Sequence, residues 1–159
     1  MLATYFYNCL GLVVVGLILS FVWRFASRRY SLPCPSWLGW MLENPFAENG
    51  RAQKTISRLD LQPGMKVLDV GCGPGRLTIP IARFLGSQGH LVAIDIQPVM
   101  LDKARQRAEA AGLKNVDFRQ VGAGQGRLER GWYDRTLLVT VLGEIPNRQS
   151  ALQEIFDAL

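Results

Sequence analysis

Two carboxylates set on either side of a glycine bend are the residues of this chain whose types and spacing can do chemistry. Asp69 sits in V-L-D-V-G-C-G-P-G-R-L-T (Val67 to Thr78), just ahead of Gly71-Cys72-Gly73-Pro74-Gly75. Asp95 closes Leu91-Val92-Ala93-Ile94-Asp95, about twenty residues past the loop. Glycines in such a bend supply positive φ and let a ligand approach bare backbone. The spacing rejects two phosphate-binding readings. No Lys-Ser or Lys-Thr follows the loop, as a P-loop requires, and Arg76 stands where a G-x-G-x-x-G dinucleotide fingerprint needs glycine. An acid ahead of the glycines suits a ligand that carries a cation rather than a pyrophosphate. An acid ending the next strand is placed where such folds hold a ribose. There a carboxylate accepts both hydroxyls, each charge-assisted bond worth roughly 1.5–3 kcal/mol.

The elements that must position these acids are legible from apolar spacing. Val67, Leu68 and Val70 stop at the glycines, and Leu77, Ile81, Ala82 and Leu85 then recur at helical spacing from near Arg76. That is strand, turn and helix, with the free N–H groups of the helix aimed at the loop. Pro80 is tolerable only in the first turn of that helix. Further along, His90 to Asp95 is a second strand, and Val99 to Ala111 a helix stopped by Gly112. Val116 to Val121 alternates as a third strand, and Leu137-Leu138-Val139 marks a fourth, buried one. Asn147 caps a last helix carrying Ala151, Leu152, Ile155 and Leu159. Upstream, Ala52, Ile56 and Leu59 mark a helix over Arg51 to Leu59. This alternation predicts a parallel α/β, Rossmann-like sheet flanked by helices.

In such sheets ligands lie beyond the carboxyl ends of the strands. The loops after Val70, Asp95, Val121 and Val141 therefore face the ligand, and Glu144 in the fourth is the candidate general base or substrate-orienting acid. His90, the one histidine, begins the second strand about 17 Å from Asp95, on the wrong edge for catalysis.

Val67 to Thr78, Asp95 and the continuation Asp95-Ile-Gln-Pro-Val-Met-Leu101 resemble a class I S-adenosylmethionine-dependent methyltransferase, in the broad group that includes the ubiquinone/menaquinone C-methyltransferases. The resemblance implies S-adenosyl-L-methionine as cofactor. Gly71, Cys72, Gly73 and Gly75 would pass under its methionine moiety, and Asp69 would serve the amino-group end. Asp95, with Ile96 beside it, would hold the ribose, and Gly122, Ala123 and Thr140 complete the implied set. The family usually carries Gly-Asp-Ala after the third strand, where the acid reaches the adenine amino group. Gly122 stands at that acid's position here, which leaves the Ala123 backbone or Gln125 to meet the adenine edge. The resemblance runs from about Arg51 to Leu159 and lacks the family's last three strands. The expectation is therefore an incomplete methyltransferase domain over 47–159.

Composition bounds the rest. A chain of 159 residues, 48% hydrophobic and 19% charged, has room for one domain with an apolar segment added. Its net charge of +5 is spread along the chain, so no nucleic-acid groove is indicated. Cys9, Cys34 and Cys72 are too few and too scattered for a disulfide framework or a metal site. Met1 to Trp23 holds no charged side chain, and as a helix it would span about 35 Å against a hydrocarbon core of about 30 Å. Arg24, Arg28 and Arg29 follow it, which predicts a single-pass anchor with the N-terminus outside and the domain cytoplasmic. Residues 24–46 form a linker broken by Pro33, Pro35 and Pro45, with Trp37 and Trp40 placed to cover the domain or to lie on the membrane. The function expected is methyl transfer to a small-molecule or lipid-like acceptor at the cytoplasmic membrane face. The alternative is a non-catalytic half-domain serving as a membrane adaptor.

Overall fold

The computed structural model describes residues 45–159 and, ahead of them, residues 11, 14–16, 18, 20–22, 25 and 26. In chain order the elements from residue 45 are α1 (Pro45–Arg58), β1 (Lys66–Val70), α2 (Thr78–Leu85), β2 (His90–Asp95), α3 (Pro98–Ala110), β3 (Val116–Gln120), β4 (Arg135–Leu138), a 3-10 turn at Leu142–Glu144 and α4 (Arg148–Ala158).

Alternation along two central strands decides how these pack. Odd-numbered Val67, Leu91 and Ala93 point into one cluster with Ile81, Ala82, Leu85 and Leu101. Even-numbered Leu68, Val70, Val92 and Ile94 point into a second cluster with Tyr133, Ile155 and Ala158. Strands buried on both faces read as continuous apolar runs and require helices on each side. Accordingly α2 and α3 cover the first face, with α1 beside α2, and α4 covers the other. The sheet order is β3-β2-β1-β4 and every pairing is parallel. Asp69 lies opposite Ala93, and Val70 opposite Ile94. The carboxyl ends of β1 and β2, and so the glycine loop and Asp95, open at the middle of one sheet edge.

The amino edge is tied separately. Asp134 Oδ2 accepts from the Lys66 backbone N–H at 2.7 Å, and the Asp134 N–H donates to Lys66 O at 2.8 Å. His90 stacks edge-on against Trp132 there, 5.4 Å between centroids, far from the loops that follow the strands. The Asn147 side chain accepts from Ser150 N at 3.0 Å as the cap of α4. Helix α2 starts at Thr78, slightly later than the apolar spacing indicates, with Pro80 in its first turn. Helix α1 starts earlier than Arg51 because Pro45 opens it, the first turn being the one place where proline's missing N–H costs nothing.

Most of Met1 to Trp23, on which the anchor expectation rests, lies outside the described residues, as do Trp37 and Trp40. The described positions from 11 to 26 are helical, and Val14, Val15, Ile18, Phe21, Val22 and Phe25 are exposed by 46% to 72%. No helix among the described residues is long and apolar enough to cross a membrane.

Candidate functional site

The glycine loop is built by β2 as much as by β1. The N–H groups of Gly71 and Cys72 both donate to Ile94 O, at 2.8 and 3.0 Å, and fold the chain back over the end of the second strand. Gly71 has φ +70, and a Cβ there would stand 2.4 Å from Val141 Cγ2, so only glycine lets the loop after β4 close against it. From α3, the Arg107 guanidinium donates to Pro74 O at 3.1 Å and holds the far side of the loop.

The two acids occupy different depths. Pleating places Asp69 and Asp95 on the same sheet face, but the register puts Asp95 one pleat, about 6–7 Å, nearer the carboxyl edge. Asp69 is 3% exposed under α2, where Thr78 Oγ1 donates to its Oδ2 at 2.6 Å. Burial pushes the Asp69 carboxyl up to about 6; the Thr78 hydroxyl opposes this and the nearby Asp95 charge adds to it. Asp95 is fixed at the rim by two backbone donors, Gly73 N to Oδ2 and Gln97 N to Oδ1, both at 2.9 Å. Each oxygen keeps a second acceptor site after those bonds, because an ionised carboxylate offers about four. Cys72 is buried, and burial, with the two acids adding to it, drives its thiol far above the usual range, which leaves it inert as a nucleophile.

A cavity of about 330 Å³ opens at this edge, within the size range of small-molecule sites. Its floor is Val70, Gly71, Gly73 and Ile94, and one wall is Asp95, Ile96, Gln97 and Met100. A second wall is Val121, Gly122, Ala123 and Gln125, and a third runs from Val139 to Val141 and from Glu144 to Pro146. Among the described residues the charged side chains on this lining are Asp95 and Glu144, both acidic, so the cavity favours a cation. The 3-10 turn bearing Glu144 is held by Arg148, whose guanidinium donates to Leu142 O at 3.1 Å and to Gly143 O at 3.3 Å. Thr140 has φ +64, an uncommon conformation for a β-branched residue, in the middle of the third wall.

A family model described as a methyltransferase domain matches residues 61–159, which takes in all four strands and both acids. The chain belongs to the methyltransferase-domain family. The domain is 32% identical over 103 residues to a demethylmenaquinone methyltransferase of Bacillus cereus, a match covering 65% of this chain and 44% of that protein. The chain thus spans less than half the length of the curated relatives it matches. Among solved structures, a SAM-dependent methyltransferase from Aquifex aeolicus superposes with a TM-score of 0.72 at 25% identity, covering 79% of this chain and 68% of that one. The [4+2]-cyclase SpnF superposes with a TM-score of 0.64 at 27% identity, covering 71% and 41%.

In this methyltransferase domain, Gly71, Gly73, Asp95, Ile96, Gly122, Ala123, Thr140 and Glu144 of the predicted site residues meet around this cavity. Asp69, Cys72 and Gly75 do not reach its lining. Asp69 and Cys72 are buried beneath it, and Gly75 faces α3, where a Cβ would stand 3.1 Å from Ala104 Cβ. The sequence reading missed Thr78, the hydroxyl that holds Asp69, and Gln97, whose N–H orients Asp95. Thr78 carried a usable signal, being a hydroxyl residue in the first turn of the helix that follows the buried acid. Met100 and Val139 carried none, since only tertiary packing brings them to the loops at the strand ends.

Proposed function

We propose that the cavity binds S-adenosyl-L-methionine and that the domain serves methyl transfer to a small-molecule or lipid-like acceptor. The observation that carries this reading is the wall chemistry: among the described residues the lining carries acidic side chains and no lysine or arginine, and one acid is locked at the rim by two backbone N–H groups. This set of anionic acceptors fits a cationic sulfonium and a ribose, and it disfavours a pyrophosphate. When bound, the cofactor supplies an electrophilic methyl group on sulfur.

The chain's own contribution is alignment and dryness, the main requirements of an in-line displacement. The remaining acceptor sites of Asp95 take the ribose hydroxyls, and the floor at Gly71 and Gly73 offers backbone with no side chain in the way. Val139, Val141, Ile145 and Pro146 make the third wall apolar and exclude water there. Glu144, on the same side, orients the acceptor or takes its proton. The demethylmenaquinone methyltransferase relative supports a ring acceptor of apolar character. Fold likeness by itself does not carry the reading, because a cyclase shares the fold.

The charge-free stretch Met1 to Trp23, the arginines after it and the exposed apolar helical positions between Val14 and Phe25 support a membrane anchor, with the domain at the cytoplasmic face. The test is a transfer assay on the full chain in detergent, with methyl-labelled cofactor and a panel of demethylated quinols and phospholipids. Label in one acceptor class supports the reading. Tight cofactor binding with no label in any acceptor supports the binding-only adaptor instead.

A further inference from the structure

The wall that replaces the family's usual acid is a loop, and its hydrogen bonding leads away from the cavity. Residues 122–128 follow β3 without strand or helix, so their backbone N–H groups need partners from elsewhere. One side chain supplies partners for three of them. Glu154, on α4, accepts from the N–H of Gly124 on Oε2, and from Arg127 N at 2.6 Å and Leu128 N at 3.0 Å on Oε1. Ser150, one turn earlier on α4, donates from Oγ to Gly124 O at 3.3 Å.

The contact is close as well as polar. Gly124 has φ +89, and a Cβ there would stand 3.1 Å from Ala151 N and 3.3 Å from Ala151 Cα, so loop and helix meet backbone to backbone. Helix α4 is itself anchored, with Ala151, Ile155 and Ala158 buried against the sheet. Burial raises the Glu154 carboxyl, yet the backbone donors outweigh this and hold it below the usual carboxylate range, as expected of an ionised clamp. Immediately beside the clamped residue, Ala123 and Gln125 line the cavity, and Gln125 Oε1 accepts from Gly122 N at 3.3 Å.

We propose that Glu154 is a positioning residue for the nucleoside-base end of the cavity, holding the 122–128 loop so that Gly122, Ala123 and Gln125 present a fixed edge to the base. This rests on the nucleoside reading of the cavity given above. It also accounts for how a glycine can stand at the position of the missing acid: recognition passes to a loop edge that a charged side chain fixes from behind. Glu154 touches no ligand in this scheme.

The test uses the full chain and its Glu154→Ala and Glu154→Gln variants. Hydrogen exchange should show protection lost at the amides of Gly124, Arg127 and Leu128 in Glu154→Ala, with β1 and β2 as protected as in the wild type. Titration calorimetry should show S-adenosylhomocysteine binding weakened about tenfold, the cost of ordering a released loop. A merely structural role would weaken all ligands alike. The positioning role predicts that the preference for S-adenosylhomocysteine over S-inosylhomocysteine, which differs only at the base edge, falls toward one in Glu154→Ala and survives in Asp95→Ala. Glu154→Gln keeps one acceptor oxygen and should lie between wild type and Glu154→Ala; it decides the matter if the alanine variant does not fold. Unchanged loop protection, or an unchanged base preference, overturns the proposal. If the wild type itself binds neither ligand, the fault lies in the nucleoside assignment, and the exchange data alone decide whether Glu154 fixes the loop.

Discussion

Replacing Asp69 with asparagine isolates the cost of the buried acid. The side chain is 3% exposed, and its carboxyl is pushed up from 3.8 to about 6, chiefly by burial. A shift of about two units at 1.36 kcal/mol each amounts to roughly 3 kcal/mol. The native state holds this proton more tightly than the unfolded chain does. The corresponding stability is therefore fully present below about pH 3.8 and is lost as pH rises through about 6. Asparagine stays neutral, and its carbonyl still accepts from Thr78. Urea unfolding of wild type and Asp69→Asn at pH 3.5 and at pH 7.5 gives two stability differences. Between them the balance should move by about 3 kcal/mol in favour of asparagine, whatever the constant offset of the amide. A difference that does not change with pH, or one that moves toward the wild type, would refute the argument that this carboxylate is destabilised in place. Because a ligand cation near the loop relieves the cost, S-adenosylmethionine should stabilise the wild type more than Asp69→Asn at the higher pH.

Gly71→Ala should lose about 2–4 kcal/mol, combining a left-handed φ of +70 with overlap onto Val141 Cγ2 at 2.4 Å. A denaturation midpoint within about 1 kcal/mol of wild type would mean the loop after β4 yields easily. Thr136→Val should stabilise by about 1 kcal/mol, since the Thr136 hydroxyl is enclosed with no partner among the described residues; thermal unfolding checks it, and a loss of stability would reveal a bond the hydroxyl makes. The full chain should resist carbonate extraction from membranes and become soluble when residues 1–23 are removed; extraction of the intact chain would end the anchor reading.

Local signals carried most of the architecture into the sequence. The runs at Val67 and Leu91, the glycine bend, Asn147 as a cap and Gly112 as a helix stop each act within a few residues, so pattern alone located them. Depth was not legible in the same way. Val70 follows Asp69 before the bend while Asp95 ends its run, but that one-residue offset does not by itself give depth. The pairing of Asp69 with Ala93 leaves the first acid inside the sheet and carries the second to the rim, and register is a property of two strands together. Glu154 was invisible for a related reason. Its partners lie 26 to 30 residues away, and a glutamate on a helix reads as solvated until the loop beneath it is seen. Pro45, which the sequence pattern marks as a breaker, opens a helix because position within the turn decides what proline does.

The most direct measurement is titration calorimetry of S-adenosylhomocysteine into the full chain and into Asp95→Ala. A carboxylate that accepts two ribose hydroxyls at roughly 1.5–3 kcal/mol each predicts micromolar-range binding to the wild type and a loss of more than about tenfold in the variant. Equal affinity for the two proteins, or no binding by the wild type, would contradict the placement of the ribose at the end of β2.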